Sequence, residues 1–599
     1  MKKLLTLLGV ALLATSAYAV PARPLTTKVS QSDGTTLSIT VRGDERFHYC
    51  LTTDGLPVLR AADGNFYYAQ TTDGQLVATA QLAHDEALRS VSEKAFVASQ
   101  VATADQLQTL AAAANVRRMA TQKAKTALRK QAEGLGAPRK VNSGKRRGLV
   151  ILVNYQDVKM DETHTQEVFD AMFNEVGYTE NSNTMSVHDY FYEQSYGQFD
   201  LSFDVVGPVT VSSNMAYYGG NDRYGNDKRP GEMVYEACQL VDDDVDFTTY
   251  DWDGDGEAEM VFVVYAGYGE ASDAYSGKLD DTIWPHMYYL TSYGLNLTLD
   301  GVKIDTYACS SELVSNSGTR MDGIGTACHE FSHCFGLPDL YDTSSSTSNF
   351  GMSYWSILDI GCYGGDGFGP VGYTSYERWA SGWLEPTELT DTTSITGMKS
   401  LVEAPEAYVI YNDAYNNEYY LLENRQAVSS DAYLPGHGML VLHVDYDETT
   451  WWYNTVNNTS NHQRCTIIAA DNTYNKYSGL AGDPYPGTSG KTELSDTSIP
   501  RATLYNANTD GAKYMHKPIL NIAETDEGLI SFDFLGVKQV ETGIQAVKTG
   551  SVGLADAVSV FNAAGQQVCA TTYADFLTMP LKHGVYVVRS AQGAFKVAK

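Results

Sequence analysis

The chain has 599 residues, of which 43% are hydrophobic, and its formal net charge is −31. A single hydrophobic core stops growing near about 250 to 300 residues, so we expect several folded units. The excess of acidic residues argues against nucleic-acid binding, because phosphate contacts require stripes of Lys and Arg. Nucleic acid is therefore not an expected partner.

The N-terminus predicts a secretory signal peptide, residues 1–19. Lys2 and Lys3 precede an apolar run that starts at Leu4, and the sequence Ala-Tyr-Ala ends at Ala19, where we expect cleavage. The apolar run is shorter than the ~20 residues that a membrane span requires. We therefore expect a mature chain without an integral membrane segment, which passes through the periplasm and is secreted or held at the cell surface.

Residues 20–144 are predicted to form a propeptide with a β part and a helical part. Up to about residue 77, polar and apolar residues alternate between turn signals of the Asp-Gly type, which favours hairpins. These signals are Asp33-Gly34, Asp54-Gly55, Asp63-Gly64 and Asp73-Gly74. From about residue 80 to 132 the sequence is rich in Ala, Leu, Gln and Lys and lacks Pro and Gly, which favours helix.

The basic segment GLGAPRKVNSGKRRG, residues 134–148, precedes a hydrophobic strand. A trypsin-like protease would cut an exposed segment of this kind and release the propeptide, and an ordinary interdomain linker is an equal alternative. In a latent precursor of a metal-dependent enzyme, Cys50 or His48 of the propeptide could bind the metal at the coordination position that is otherwise open. A structural Cys within a strand is the alternative for Cys50.

Two apolar runs predict the central domain, residues 145–386. GLVILVNYQDV (148–158) and EMVFVVYAGYGE (259–270) have the composition of strands buried on both faces, and helical patterns lie between them. Tyrosine-rich strands and loops rich in Asn, Asp and Gly predict a β-sandwich over 387–537. A small β domain is predicted for 538–599. The predicted fold class is therefore a multidomain α+β or α/β chain.

The segment TACHEFSHCFGLPDLYD has the residue spacing of a catalytic metal site. Side chains at i and i+4 lie on one face of a helix, so His329 and His333 can share one metal ion. Glu330 lies ~100° round the helix, within reach of a metal-bound water. Gly336 permits a positive-φ exit from the helix, after which Asp339 can fold back towards the same ion.

The longer segment GIGTACHEFSHCFGLPDLYD resembles the zinc helix of the immune inhibitor A family of secreted bacterial metallopeptidases, relatives of the metzincins whose third ligand is Asp. Further segments are similar to the same family and cover most of 145–386. They are RRGLVILVNYQDV, SVHDYFYEQSYGQFDLSFDVVGPVT, DWDGDGEAEMVFVVYAGYGE, YACSSEL and PVGYTSYERWASGWLEP.

The resemblance implies a metzincin-like zinc-peptidase domain with a zinc helix and a mixed sheet. In it His329, His333 and Asp339 bind one catalytic Zn²⁺, and Glu330 is the general base and acid. The implied function is a secreted zinc metalloendopeptidase, made as a zymogen, that hydrolyses extracellular or host proteins through a zinc-bound water. The alternative is an extracellular binding or adhesion protein with a vestigial zinc site, and the intact Glu330 argues against it.

The resemblance also concerns the floor of the site. Metzincins carry a turn with a Met beneath the metal, and YWSILDIGCYGG places Leu358 at that point, with Met352 nearby. Leu has a similar apolar volume, so we expect the exchange to cost little. Tyr363 is a candidate to hydrogen-bond the oxyanion, and a purely structural role is the alternative.

A second cation site is predicted in DWDGDGEAE. Asp251, Asp253 and Asp255 reproduce the start of a calcium loop, with a Gly where the chain must turn sharply. The twelfth position is not acidic, so Glu257 or Glu259 would have to complete the coordination. We expect structural Ca²⁺ here, although acidic turns without an ion are common in a chain of this charge.

Two further features complete the prediction. Cys328 and Cys334 face different directions on a helix, so they are expected to be buried thiols or to form disulfides with Cys309 or Cys362. The tail GVYVVRSAQGAFKVAK resembles the C-terminal sorting domain of proteins exported by type IX secretion, which implies the secretion machinery as a partner. A small β domain without a sorting role is the alternative.

Overall fold

The computed structural model describes residues 18–598, apart from 46, 112, 114–141, 223–224, 273–280, 316–317, 345–348, 537–551 and 592. Most of the predicted signal peptide, the helical prediction beyond 113 and positions 134–141 of the predicted cleavage segment lie outside the described residues. Among the residues that are described, no helix is both long and apolar enough to cross a membrane.

The chain divides into two compact units, Met1–Gly536 and Val537–Lys599. The strands of the first unit are β1 Tyr18–Ala19, β2 Thr26–Ser30, β3 Thr36–Asp44, β4 Phe47–Thr52, β5 Pro57–Arg60, β6 Phe66–Thr72, β7 Gln75–Leu82, β8 Gly144–Asn154, β9 Phe199–Thr210, β10 Val261–Tyr268, β11 His286–Tyr289, β12 Leu297–Leu299, β13 Val302–Ile304, β14 Thr306–Leu313, β15 Thr387–Glu388, β16 Thr393–Met398, β17 Ala407–Asn412, β18 Tyr415–Arg425, β19 Gly438–Asp445, β20 Cys465–Ile467, β21 Ile519–Glu524 and β22 Ile530–Phe534. Its α-helices include α1 Val91–Gln100, α2 Gln166–Asn174, α3 Val187–Gln194, α4 Met215–Gly219, α5 Pro230–Leu240, α6 Ile324–Ser332, α7 Ser375–Ala380 and α8 Glu448–Trp452.

A six-stranded sheet of order β1-β11-β14-β10-β8-β9 forms the centre of the first unit. Strands β9, β8, β10 and β14 are parallel, whereas β11 is antiparallel to β14. Val150 and Phe262 face one hydrophobic core, and the alternate residues Ile151 and Val263 face another. The strands are continuously apolar because both faces of the sheet are buried.

Helices cover the two faces of this sheet. The core that contains Val150 also contains Met172 of α2, Val187 of α3 and Phe331 of α6. The opposite core contains Val234 of α5. Helix α6 therefore lies on one face, where it contacts β14 and the edge strand β11.

The N-terminal region forms an antiparallel sheet of order β2-β3-β4-β5-β6-β7. Gly34, Gly55, Gly64 and Gly74 all have positive φ, so the predicted Asp-Gly turns are confirmed. The uniform helix predicted from residue 80 is wrong at its start, because β7 continues to Leu82. Helix α1 begins only after Ser90, whose side chain accepts a hydrogen bond from the Glu93 N–H and caps the helix.

Residues 387–536 form two sheets, β15-β17-β18-β19-β20 and β16-β22-β21. Leu422 and Val441 of the first sheet share a core with Ile522 and Phe532 of the second, which is the packing of a sandwich. The other face of the larger sheet belongs to the core that also contains α6. The sandwich is therefore built onto the central domain and can contribute residues to its site.

The second unit contains a four-stranded sheet of order β24-β23-β25-β26. Its elements are β23 Ala557–Phe561, β24 Gln567–Thr572, α9 Tyr573–Thr578, β25 Val585–Ser590 and β26 Gly593–Ala598. Val560, Phe576 and Val588 are buried in its own core.

Candidate metal centre

Helix α6 carries His329, the 3₁₀ turn that continues it carries His333, and the helix packs closely against the turn 360–367. A Cβ on Gly325 would lie 2.0 Å from the Cys362 carbonyl oxygen, so only Gly permits this contact. The helix tightens into a 3₁₀ turn at His333–Phe335 and leaves through Gly336, whose φ is 80°. The positive-φ exit predicted at Gly336 is confirmed, and it returns the chain towards the helix.

Three side chains converge on one buried point. The Asp339 Oδ1 lies 3.2 Å from the His329 Nε2 and 3.5 Å from the His333 Nε2. The two Nε2 atoms are 3.3 Å apart. Each of the three residues is at most 4% exposed. The structure thus brings together all three residues that the sequence predicts as zinc ligands.

Backbone carbonyls fix the orientation of both imidazoles. The Nδ1 of His329 lies 2.7 Å from the Ile357 oxygen, and the Nδ1 of His333 lies 2.8 Å from the Leu337 oxygen. A ring nitrogen that faces a carbonyl carries the proton, so each Nε2 presents its lone pair to the shared point. This arrangement is common for His residues that bind metals.

Asn454 holds the third carboxylate in place. Its side-chain nitrogen donates to the Asp339 Oδ2 at 2.5 Å, and its side-chain oxygen accepts from the Asp339 N–H at 2.7 Å. Asn454 lies in the sandwich region, 115 residues from Asp339 in sequence. Nothing in the motif itself indicates this residue.

The pKa values of the two carboxyl groups at the site, Asp339 and Glu330, are shifted in opposite directions. Burial raises the pKa of Asp339, but the adjacent His333 and His329 outweigh it and hold that pKa below its usual range. Burial, with the charge of Asp339, raises the pKa of Glu330 well above its ordinary value. Burial lowers the pKa of His333, which favours the neutral ring that a metal requires. Asp339 is thus suited to ligation and Glu330 to carrying a proton.

The residues present fit a zinc ion. Within the part of the chain that the structure describes, the buried Asp339 Oδ1 and Glu330 Oε2 have no hydrogen-bond partner. Orphaned buried oxygens are costly unless another group satisfies them. Two imidazoles and one carboxylate form a ligand set that zinc accepts in catalytic sites with an open fourth position. The same three residues form one of two clusters of metal-binding type among the described residues.

The N-terminal segment of the chain, residues 18–23, crosses this site. Strand β1 pairs with the edge strand β11, with Ala19 opposite His286. The N–H of Val20 donates to the Glu330 Oε1 at 3.0 Å. Ala19 and Val20 are 0% exposed. The segment therefore occupies the groove beside the general base that the sequence predicts.

Aromatic side chains hold this segment along its backbone. Three of them donate to successive carbonyl oxygens: Tyr341 to Ala19 at 2.5 Å, Trp284 to Val20 at 3.0 Å and Tyr363 to Pro21 at 2.7 Å. Arg23 then lies 3.4 Å from Asp322 and 5.1 Å from the centre of the Tyr363 ring. The three contacts to carbonyl oxygens do not depend on the side chains of the bound segment, whereas those of Arg23 are made by its side chain.

The two residues of the predicted propeptide that were considered as metal-blocking groups have other partners. Cys50 is paired with Val41 and Val58 within its sheet. The His48 ring contacts Glu270 at 3.3 Å. The N-terminal group placed against Glu330 is instead the backbone N–H of Val20. Sequence reasoning missed it because a backbone N–H has no residue-specific signal.

The residues of the predicted Met-turn are buried and contact the loop that carries Asp339. Leu358 is buried, and its carbonyl accepts from the Leu340 N–H at 2.7 Å. Met352 is also buried, and its N–H donates to the Asp359 carboxylate at 2.9 Å. Asp359 in turn pairs with the Lys476 ammonium at 3.0 Å. The turn thus supports the loop that carries Asp339.

The acidic loop 251–259 brings together a slightly different set from the one predicted. Ligand oxygens of Asp251, Asp253 and Glu259 lie within 4.8 Å of one another. Asp255 is not in that cluster, and its carboxylate accepts from the Glu257 N–H. Burial raises the pKa of Glu259 to about 7. Of the two residues proposed to complete the site, the geometry favours Glu259.

The cysteines near the site are thiols. None of the eight Cys forms a disulfide, and Cys309, Cys328 and Cys362 are buried. Burial raises the pKa of the Cys328 thiol well above its ordinary value, so it is a poor nucleophile and a poor metal ligand. Of the two residues concerned, Cys328 is a buried thiol and Cys334 is a half-buried thiol.

Comparison with known proteins gives consistent matches to this region. Residues 144–387 match the family described as "Immune inhibitor A peptidase M6, catalytic domain". "Pre-pro-metalloprotease PrtV" of Vibrio cholerae serotype O1, in two strains, is 28% identical over 275 residues, 40% of this chain and 29% of that protein. "Immune inhibitor A" of Bacillus thuringiensis subsp. alesti is 27% identical over 251 residues, 36% of each chain.

Residues 144–387 are thus similar to a metallopeptidase catalytic domain, and the predicted enzyme class, a metalloendopeptidase, is confirmed. The matched part covers about a third of the length of these relatives, 29% and 36% respectively.

Proposed function

We propose that the chain is a zinc-dependent endopeptidase, exported as a latent precursor, that hydrolyses peptide bonds of extracellular proteins. The observation that carries the proposal is the convergence of His329, His333 and Asp339 on one buried point beside Glu330. The family match over 144–387 supports the same conclusion.

Zn²⁺ held by these three side chains would supply Lewis acidity, which polarises a peptide carbonyl and acidifies water. Glu330 accepts the proton of the attacking water and delivers it to the leaving nitrogen. Its Oε1 already faces a peptide nitrogen, that of Val20, at 3.0 Å. Its raised pKa suits a group that must hold a proton between these two steps.

The groove favours an extended peptide as substrate. Strand β1 adds to the free edge of β11 in the antiparallel sense, and such β-addition gives affinity through main-chain hydrogen bonds. A substrate strand would take the same position. Because the chain enters and leaves the groove on both sides of Glu330, cleavage within a polypeptide is expected rather than removal of terminal residues.

The contacts of residues 20–23, which remain after cleavage behind Ala19, support latency of the precursor. Val20 covers the Oε1 of Glu330, and Arg23 contacts Asp322 and the Tyr363 ring. Export by the predicted signal peptide, with cleavage after Ala19, and sorting by residues 538–599 are parts of the same proposal. N-terminal sequencing of the exported chain tests the signal peptide, and a start other than Val20 would contradict cleavage after Ala19. Comparison of the location of chains with and without residues 538–599 tests the sorting role, and the same location for both would contradict it.

The proposal is tested with casein. Chain cleaved within residues 134–143, ahead of β8, should hydrolyse casein and lose the activity in 1,10-phenanthroline, because the chelator removes a metal that the mechanism requires. Added Zn²⁺ should restore it. A folded, processed chain that does not cleave casein or unrelated unfolded proteins would contradict the proposal.

We also propose that Ca²⁺ binds Asp251, Asp253 and Glu259. Extracellular calcium sites have Kd values of about 10⁻⁴ to 10⁻³ M, so 5 mM CaCl₂ should stabilise the fold by about 1 to 2 kcal/mol and raise the Tm by several degrees. Glu259→Gln should remove most of that increase.

Glu257→Gln is the matched control for the calcium proposal. Glu257 pairs with the Lys303 ammonium at 3.0 Å and lies outside the acidic cluster, so its variant should keep the calcium-dependent increase in Tm. A wild-type Tm that does not respond to CaCl₂, measured by calorimetry, would show that the loop is an ordinary acidic turn.

A further inference from the structure

Tyr341 contacts the same peptide group of the bound segment as Glu330. Its hydroxyl donates to the carbonyl oxygen of Ala19 at 2.5 Å. The nitrogen of the same peptide group, that of Val20, donates to Glu330 at 3.0 Å. One peptide group is therefore held at its oxygen by a phenol and at its nitrogen by the general base.

This peptide group marks the position of the bond that is cleaved. If the proposed function is correct, Glu330 must reach the nitrogen of the scissile bond, because it delivers the proton to the leaving amine. The only bond whose nitrogen meets that condition in residues 18–23 is Ala19–Val20. The residue before this bond is also paired with β11, as an extended peptide added to a sheet edge would be.

The structure assigns to Tyr341 the role of a catalytic residue that stabilises the oxyanion. The oxygen of water forms a bond to the carbonyl carbon, one water proton passes to Glu330, and the carbonyl π pair moves to the carbonyl oxygen. The Tyr341 O–H donates to that oxygen as its negative charge develops. The charge then re-forms the C=O bond as the C–N bond breaks, and the nitrogen receives the proton from Glu330.

The surroundings of Tyr341 preorganise its hydroxyl. The residue is 3% exposed. Its neighbour Leu340 donates to Leu358 at 2.7 Å and accepts from the Asn457 side chain at 2.6 Å. A hydrogen-bond donor that is fixed in a buried site stabilises the negative charge that develops in the transition state, without the cost of reorienting water. The loop that returns Asp339 to the metal point therefore also aims Tyr341.

Tyr363, the oxyanion candidate from the sequence, contacts a different carbonyl. Its hydroxyl donates to Pro21, two residues beyond Ala19, and its ring lies against Arg23. At that distance along the chain it binds the peptide but does not meet the oxygen on which charge develops. The two tyrosines thus provide a matched pair of variants.

The test is Tyr341→Phe in processed chain, with a fluorogenic peptide as substrate. Loss of one oxyanion donor costs about 10²- to 10³-fold in kcat, and KM should change by less than about threefold. The affinity for a phosphinic peptide, whose tetrahedral oxygens imitate the oxyanion, should fall by a similar factor. Zinc content and Tm should match those of the wild type. Tyr363→Phe should instead raise KM and leave kcat within about threefold.

Retention of kcat and of phosphinic-peptide affinity by Tyr341→Phe would overturn the assignment and leave Tyr341 with no role beyond its contact to Ala19. If Tyr341→Phe lowers the Tm strongly, Tyr341→His provides a second test, because His keeps a ring N–H donor. The kcat per folded molecule of Tyr341→His should then be higher than that of Tyr341→Phe, and equal values would also overturn the assignment. The proposed function fails separately: in that case wild-type processed chain would itself not cleave peptides.

Discussion

Glu330→Gln is expected to lower kcat/KM of the processed chain for casein-derived peptides by about 10³-fold or more. General acid–base catalysis typically contributes about 10²- to 10⁴-fold. Gln keeps the size and one hydrogen-bonding oxygen but cannot accept and release the proton. Because Glu330 is a buried carboxyl without a partner for its Oε2 among the described residues, the neutral side chain should leave the Tm equal or higher. Peptide cleavage, zinc content and calorimetry together provide the measurement.

A matched control is Glu423→Gln. Glu423 is another fully buried Glu, but it accepts from Ser375 and pairs with Arg425 at 3.1 Å in the sandwich. Removal of its charge should lower stability by about 1 to 3 kcal/mol, because it weakens charge-assisted hydrogen bonds. Its rate per folded molecule should be unchanged. Equal activity of Glu330→Gln and the wild type would contradict the assigned role of Glu330.

Precursor that begins at Val20 is expected to be at least about 100-fold less active than processed chain, because residues 20–23 occupy contacts that a substrate needs. A binding free energy of about 2.7 kcal/mol between this segment and the groove is enough for that factor. Arg23→Ala should raise the activity of this precursor about tenfold or more. The substitution breaks the buried contact with Asp322 and the contact with the Tyr363 ring, and leaves an unpaired carboxylate behind.

Lys28→Ala is the control for Arg23→Ala. It removes the same charge from the same region, but Lys28 is exposed on β2. It should leave the precursor as latent as before. Activity is measured before any cleavage within 134–148, which is verified by mass spectrometry. Precursor that is as active as processed chain would show that the segment does not block the site.

The convergence of the three candidate metal ligands could be predicted from the sequence because their geometry is local. Spacing along one helix turn fixes His329 and His333, and a Gly-dependent exit fixes the return to Asp339. Likewise, alternation and Asp-Gly turns predicted the hairpins of the N-terminal sheet, since both signals lie within a few residues.

The partners of the motif were not readable because they are distant in sequence. Asn454 is 115 residues from the carboxylate it orients, and Val20 is 310 residues from Glu330. Contacts over such separations depend on how whole sheets pack, which no single segment encodes. In the acidic loop, the sequence suggested two candidates for completing the site, and only the folded turn distinguishes Glu259 from Glu257.

The central claim is that His329, His333 and Asp339 hold one zinc ion on which peptide cleavage depends. The most direct test follows zinc per chain and casein hydrolysis in the same sample of processed chain, during chelation and then titration with Zn²⁺. Activity should disappear with the metal and return in proportion to zinc, up to one ion per chain, and His333→Ala should prevent its return. Full activity in chain stripped of zinc and other metals would contradict the account.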